Sequence, residues 1–327
     1  MPFIERQITV TITLQSRLGS PTRGIAANAN PTFAGTSSNT VKITGGGAAA
    51  QNGYRISARV TRAGNPSFGD ADVQIYNLPE SIAKQVSTLG VPLAYMVGAN
   101  SIIIQANDVG SPPTTIFYGT INTAWMDYQA LPDSIFNISA HSLGIYGSAP
   151  AAPLSIQGAS LISSILGNLA PLVGLKLISL FSSGDTEPSL SNQYLPGSLR
   201  DQIRAVCQKA GIDYTIDDVT SSLIIAPKNK SLNLTGAPVP IIGPPPIGNM
   251  VGYPSYTAQG LRVRSEFTTA IGFGSDVIIK GSSQDVANGT WKVTYLDYDL
   301  ECQAENGPWF TNLELAAPGY AVAAPSR

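Results

Sequence analysis

Apolar and polar residues alternate with a period of two over many short stretches of this chain. Ile8, Val10, Ile12 and Leu14 interleave with Thr9, Thr11 and Thr13, which predicts a strand with one buried face. The same pattern recurs at Tyr54, Ile56, Ala58 and Val60, and again at Ala71, Val73 and Ile75. Ile102–Gln105, Thr115–Ile121 and Ser134–Ala140 read as further strands, with Pro112 and Pro113 in a loop between the first two. One helix interrupts them. Leu78, Ile82, Val86 and Leu89 form a single apolar stripe, with Asn77 as the expected cap, Pro79 near the first position and Gly90 ending it.

The most informative stretch runs from Asn288 to Leu315. Trp291, Val293 and Tyr295 alternate, and then the apolar phase shifts to Leu296, Tyr298 and Leu300. Successive strand residues point to opposite faces, so a phase shift predicts a bulge or a change of buried face. Glu305-Asn306-Gly307-Pro308 supplies a turn, and Trp309, Thr311, Leu313 and Leu315 resume the alternation as a returning strand.

Between these regions the pattern changes. The Ala/Pro-rich residues 147–153 read as a boundary. Beyond it, Leu161, Ile162, Ile165, Leu166 and Leu169 predict a short buried helix stopped by Pro171. Ser198 with Asp201 predicts a capping box, opening a helix whose face is Leu199, Ile203, Val206 and Ala210. Strands at 212–216 and 223–225 follow. The proline-rich residues 231–256 can form neither a helix nor a central strand, and read as an extended crossover. Leu261 with Val263, and 277–280, add strands before the final hairpin. Residues 1–148 are thus expected as a first β-rich domain, with a long loop or extended excursion over 19–50. Residues 149–230 form a small α+β domain, 231–256 the crossover, and 257–327 a second β domain with a C-terminal tail.

Composition narrows the function classes. Charged residues make up only 12% of the chain against 43% hydrophobic ones, so part of the uncharged surface is expected to lie against other subunits. A net charge of −2 without any Lys/Arg cluster argues against a stable nucleic-acid binder. Cys207 and Cys302 fit neither a disulfide framework nor a metal knuckle. The N-terminus lacks a signal-peptide core, and residues 161–181 are broken by Gly167, Asn168, Pro171, Gly174 and Lys176, so neither export nor a membrane span is predicted.

Few residues suggest chemistry. Asp297, Asp299 and Glu301 recur every second position and share one strand face. A D-x-D-x-E triplet invites a glycoside-hydrolase reading, but the upstream Asp-Gly of chitinase-like barrels is replaced by Thr294 and Tyr295. One strand alone also supplies too few oxygens for calcium. A solvated strand face or an acidic lining of an aqueous channel remain. His141, the single histidine, has no G-x-S-x-G elbow to serve. Gly45-Gly46-Gly47 lacks the Lys-Ser/Thr of a phosphate loop and reads as a flexible turn. Trp291, Tyr295, Tyr298, Trp309 and Phe310 are expected in core and subunit contacts. No catalytic residue, metal ligand or cofactor is predicted.

The order of these segments resembles the baseplate hub proteins of contractile-tailed bacteriophages. Residues 71–90, the Phe-x-Gly-x-Ile of 117–121, the helix and hairpin of 198–227, and the Trp-x-Thr-x-Leu-Glu of 309–314 carry the resemblance. The excursion 19–50 and crossover 231–256 go beyond it. The resemblance implies a mainly β fold in which two tail-tube-like β-barrel domains flank the small helix-hairpin domain. It implies a homotrimer of structural, non-enzymatic chains in the virion baseplate, assembled in the host cytoplasm. The partners would be the tail tube protein and the central spike protein, with the tape-measure protein a further candidate. DNA would be transient cargo in a channel lined in part by Asp297, Asp299 and Glu301, with no stable membrane association. Two alternatives stay open: a glycan-degrading or glycan-binding tail component using that triplet, and a tail-tube or tail-tip subunit of other stoichiometry.

Overall fold

The computed structural model describes residues 5–14, 40–46, 53–63, 69–87, 100–108, 110–129, 131–142, 151–217, 219–233, 238–258 and 260–317. Most of the 19–50 excursion, the Leu89–Gly90 helix end and the C-terminal tail lie outside them. The first part comprises β1 (Arg6–Thr13), β2 (Thr40–Gly46), β3 (Ile56–Ala63), β4 (Asp70–Tyr76), α1 (Glu80–Val86), β5 (Ser101–Asp108), β6 (Thr114–Asp127) and β7 (Ile135–His141). The middle part holds β8 (Leu154–Leu161), α2 (Ile162–Leu169), β9 (Lys176–Ser179), β10 (Ser189–Leu195), α3 (Leu199–Ala210), β11 (Asp213–Asp217) and β12 (Ser222–Ala226). The last part holds β13 (Ile241–Ile242), β14 (Ser255–Thr257), β15 (Gly260–Glu266), β16 (Asp276–Ile279), β17 (Gly289–Cys302) and β18 (Trp309–Ala316).

The class is mainly β, as expected, but the strands flanking the middle part do not lie in two separate sheets. They form one 13-stranded sheet in the order β14-β15-β18-β17-β3-β4-β7-β6-β5-β1-β2, with β13 and β16 attached beside β17. The join is the antiparallel pair β3–β17, in register from Tyr295↔Ala63 to Cys302↔Ile56. One hydrophobic cluster continues across it: Ile56, Ala58 and Val60 pack with Leu296, Tyr298 and Leu300. These are the apolar positions of the alternation, so burial of one face fixes the register of the seam.

Both ends of the sheet curl back. Tyr54 N–H donates to Thr44 O at 3.2 Å, bringing β2 against the start of β3. Gly45 permits this approach, since a Cβ there would lie 2.3 Å from Tyr54 O and 2.7 Å from Cys302 Sγ. Gly45 and Gly46 therefore end a strand, where the sequence suggested a flexible turn. At the other end the crossover bridges from the end of β13 to β15: Met250 N–H donates to Gly243 O, just past β13, and Val251 N–H to Arg264 O on β15, both at 2.8 Å.

The predicted bulge is present. The register of β17 against β18 shifts between Val293 and Tyr295, so Val293 and then Leu296, Tyr298 and Leu300 are buried. The residues above the bulge pair with β16 and those below it with β3.

Residues 151–226 have a core of their own, built from Ile162, Ile165, Leu166, Leu169, Ile203, Val206 and Leu223 among others. The capping box forms as predicted, with Ser198 Oγ accepting from Asp201 N–H and Gly211 closing the helix in the left-handed conformation. Two details differ from expectation. Pro171 lies in a 3-10 turn (Ala170–Val173) that continues directly from α2. Asn77 does not cap α1; its amide bridges to Asp133 Oδ1 and Ser134 N–H, and Pro79 occupies the cap position. β8, β9 and β10 were not predicted. Lys292 Nζ ties this unit to the sheet through Asp213 Oδ2 at 2.9 Å and Lys230 O at 3.1 Å, and Arg62 pairs with Asp217 at 3.7 Å. Among the described residues no helix is long and apolar enough to cross a membrane.

Candidate functional site: a polar face across the seam

The core occupies one side of the continuous sheet, and the alternation then dictates what its other side carries. On β3 that face presents Arg55, Ser57, Arg59 and Thr61, and on β4 it presents Asp70, Asp72, Gln74 and Tyr76. β17 contributes Asp297, Asp299 and Glu301, β18 Phe310, Asn312 and Glu314, and β15 Arg262, Arg264 and Glu266. His141, Ser139 and Asn137 extend it over β7, and half-exposed Trp125 over β6. Four arginines and seven carboxylates are thus interspersed on one surface that crosses both parts of the chain.

The three predicted site residues do share this face, but their environments differ. Asp297 is 2% exposed. One of its oxygens accepts from Arg59 Nε at 3.1 Å and Thr61 Oγ1 at 3.3 Å; the other accepts from Asn312 Nδ2 at 3.1 Å and Arg59 Nη2 at 3.5 Å. Its charge is turned inward beneath the guanidinium, which it holds above the usual arginine pKa. Glu301 accepts from Arg55 Nε at 2.7 Å, and Arg55 also stacks 4.4 Å above the Tyr76 ring. That hydrogen bond raises the Arg55 pKa. Asp299 lies opposite Arg59 and Phe310 in the register. Partial burial first, and then neighbouring Asp297, push its carboxyl pKa up against the opposing pull of Arg59 and Arg264.

The rest of the face is organised alike. Arg262 pairs with Glu314, and Arg264 Nε donates to Asn312 Oδ1 at 2.9 Å while lying 5.0 Å over Phe310. His141 Nδ1 lies 2.6 Å from Asp70 Oδ1, and this contact raises the imidazole pKa. Of the flagged aromatics, Tyr298 and Trp309 are buried and both contact Phe267 edge-on or tilted. Trp291 donates Nε1–H to Ala287 O at 2.9 Å. Sequence reasoning did not single out the arginines. Arg55 and Arg59 stood in plain alternation, but their partners lie more than two hundred residues away and leave no local signal. No group of three or more His, Cys, Asp or Glu that could hold a metal occurs among the described residues.

A family model described as baseplate hub gp41 matches residues 38–312. The chain belongs to the baseplate hub gp41 family. This hub chain is therefore a structural phage tail protein and not an enzyme, which removes the glycan-degrading alternative. No curated protein matches its sequence. Three solved structures share the fold at low identity. A tail protein from Neisseria meningitidis MC58 is 11% identical over 82% of the hub chain and 97% of its own, with a TM-score of 0.55. The 43 kDa tail protein of prophage MuSo2 from Shewanella oneidensis is 8% identical over 81% and 93%, with a TM-score of 0.53. The E. coli c3393 protein, a type VI secretion component described as structurally similar to the T4 tail proteins gp27 and gp5, is 12% identical over 84% and 78%, with a TM-score of 0.52. As a baseplate component, the hub resides in the virion tail.

Proposed function

We propose that this chain forms a homotrimeric ring that joins a sixfold tail tube to a threefold central spike and surrounds the channel through which DNA passes. In this reading each chain supplies two tube-like barrels, one closed by the return of β2 to Tyr54 and the other by the crossover between β13 and β15. Six such units from three chains match a sixfold tube above and threefold symmetry below. The face that carries Asp297, Asp299 and Glu301 lines the channel. The tape-measure protein is a further expected partner, and assembly takes place in the host cytoplasm.

The observation that carries this reading is the β3–β17 seam. It makes one sheet from strands of both parts and keeps a single polar face continuous across the join. A surface with interspersed charges and an excess of carboxylates does not hold polyanions, which suits a conduit better than a binding site. The test is the native mass of the purified protein together with images of the assembled tail. Three times the 34.2 kDa chain, with this face toward the axis, is the expected result. A stable monomer, or a sixfold ring, rejects the hub stoichiometry and favours a tube or tip subunit.

A further inference from the structure

Three of the four arginines on the polar face are clasped by a carboxylate from the neighbouring strand: Arg55 by Glu301, Arg59 by Asp297 and Arg262 by Glu314. Such regularity has a chemical consequence for anything polyanionic that passes over the face. A free guanidinium offers five donors in a fork that fits a phosphate, and Lys/Arg–phosphate contacts supply most non-specific affinity for nucleic acid. A guanidinium already engaged by a carboxylate offers fewer donors, and the pair presents a dipole whose field fades faster than that of a lone charge.

The geometry favours this over simple repulsion by a row of exposed acids. Asp297 is buried under Arg59 and spends both oxygens on donors from three side chains, so it reaches a passing phosphate only through its effect on Arg59. Glu301 is also largely covered, its side chain being 13% exposed against 47% for Arg55. In each of these pairs the cation is the outer member and the anion the inner one. Arg59 shows the same order, 65% against 3%. Outward-facing arginines on a face proposed to let DNA slide need their charge cancelled from below.

We propose that Asp297, Glu301 and Glu314 act as charge masks that keep Arg59, Arg55 and Arg262 from gripping the phosphates of double-stranded DNA. The inference takes its site from the channel reading above, while the masking is a property of the chain in solution and is tested there.

The experiment compares binding of a labelled random-sequence duplex to the purified full chain and to Glu301→Gln/Glu314→Gln. Glu305→Gln/Asp285→Asn, with the same charge change at exposed carboxylates outside these strands, is the control. Circular dichroism and native mass establish that all three are folded and equally assembled. The masked protein and the control are expected to bind weakly and alike. The unmasked variant gains roughly tenfold in affinity at low salt. Two freed arginines, each meeting one phosphate, give a salt slope of about −1.8, so roughly tenfold is lost again between about 50 and 200 mM salt. Adding Arg55→Gln and Arg262→Gln to the variant abolishes the gain. No gain, an equal gain in the control, or a gain that survives removal of the arginines overturns masking. If the variant binds DNA in solution but phage assembled with it releases its genome at an unchanged rate, the channel placement fails and the masking stands.

Discussion

Replacing Asp297 with alanine tests the physical account of the polar face most directly. The carboxylate is buried and receives Asn312 Nδ2 at 3.1 Å, Thr61 Oγ1 at 3.3 Å and Arg59 Nε at 3.1 Å. Hydrogen bonds to a charged acceptor contribute about 1.5–3 kcal/mol each in favourable geometry. The Arg59 side chain is 65% exposed and regains water when released, so its pair counts for less than about 1 kcal/mol. The Thr61 contact is long. Asn312 and Thr61 together then account for roughly 2 kcal/mol, and the total loss is roughly 3 kcal/mol. Urea denaturation at fixed protein concentration measures it, since any association shifts apparent stability. Double-mutant cycles apportion it: the coupling of Asp297 to Asn312 exceeds the coupling to Arg59. A loss under about 1 kcal/mol, or an Arg59 coupling larger than that of Asn312, refutes the assignment of Asp297 as an inward anchor.

Other predictions follow from single contacts. Gly45→Ala forces a Cβ against Tyr54 O and Cys302 Sγ, and is expected to cost about 1–3 kcal/mol through displacement of β2, read as a lowered melting temperature. Lys292→Met removes the tie to Asp213 and Lys230; hydrogen exchange is expected to quicken in β11 and β12 while β3 and β17 keep their protection. Burial pushes the Cys207 thiol up to about 12 and that of Cys302 up to about 11, so neither is expected to react with maleimide at pH 8 until denaturant is added. The Asp70 contact raises the His141 pKa in the folded state. Its stabilisation is then fully present below the unfolded histidine value and is lost as pH rises through the folded one. The stability gap between the parent and Asp70→Asn should shrink over that window and remain below about 1 kcal/mol, since both side chains are substantially exposed.

The alternation of apolar residues was enough to locate the strands that bury one face, such as Ile56-Ala58-Val60 and Leu296-Tyr298-Leu300, and even the bulge between them and Val293. It was silent on β8, β9 and β10. Ser189–Leu195 and Leu154–Leu161 pair with each other as a ribbon exposed over most of its length, so selection for burial leaves little period-two signal there. Lys176–Ser179 is only four residues long and half exposed. Pairing between distant strands is equally invisible. Nothing near Arg59 or Asp297 announces that they meet, because the register is set by burial in one core shared by strands far apart in the chain and not by local sequence. The acidic triplet was therefore legible as a shared face, whereas its arginine partners, which decide what that face presents to solvent, were not.

The extra residue at the β17 bulge makes this strand behave like a reading frame. Every side chain below it owes its face to the parity of the count above it. Deleting Thr294 would only remove the bulge and leave those faces unchanged, whereas deleting Asp297 would shift the count by one and send Tyr298 and Leu300 to the wet side while Asp299 and Glu301 entered the core. The strand cannot slide to repair the error, because β16 holds its upper part and β3 its lower part. Away from Thr294, length changes that a surface loop absorbs are thus expected to be tolerated between Gly289 and Cys302 only in compensating pairs.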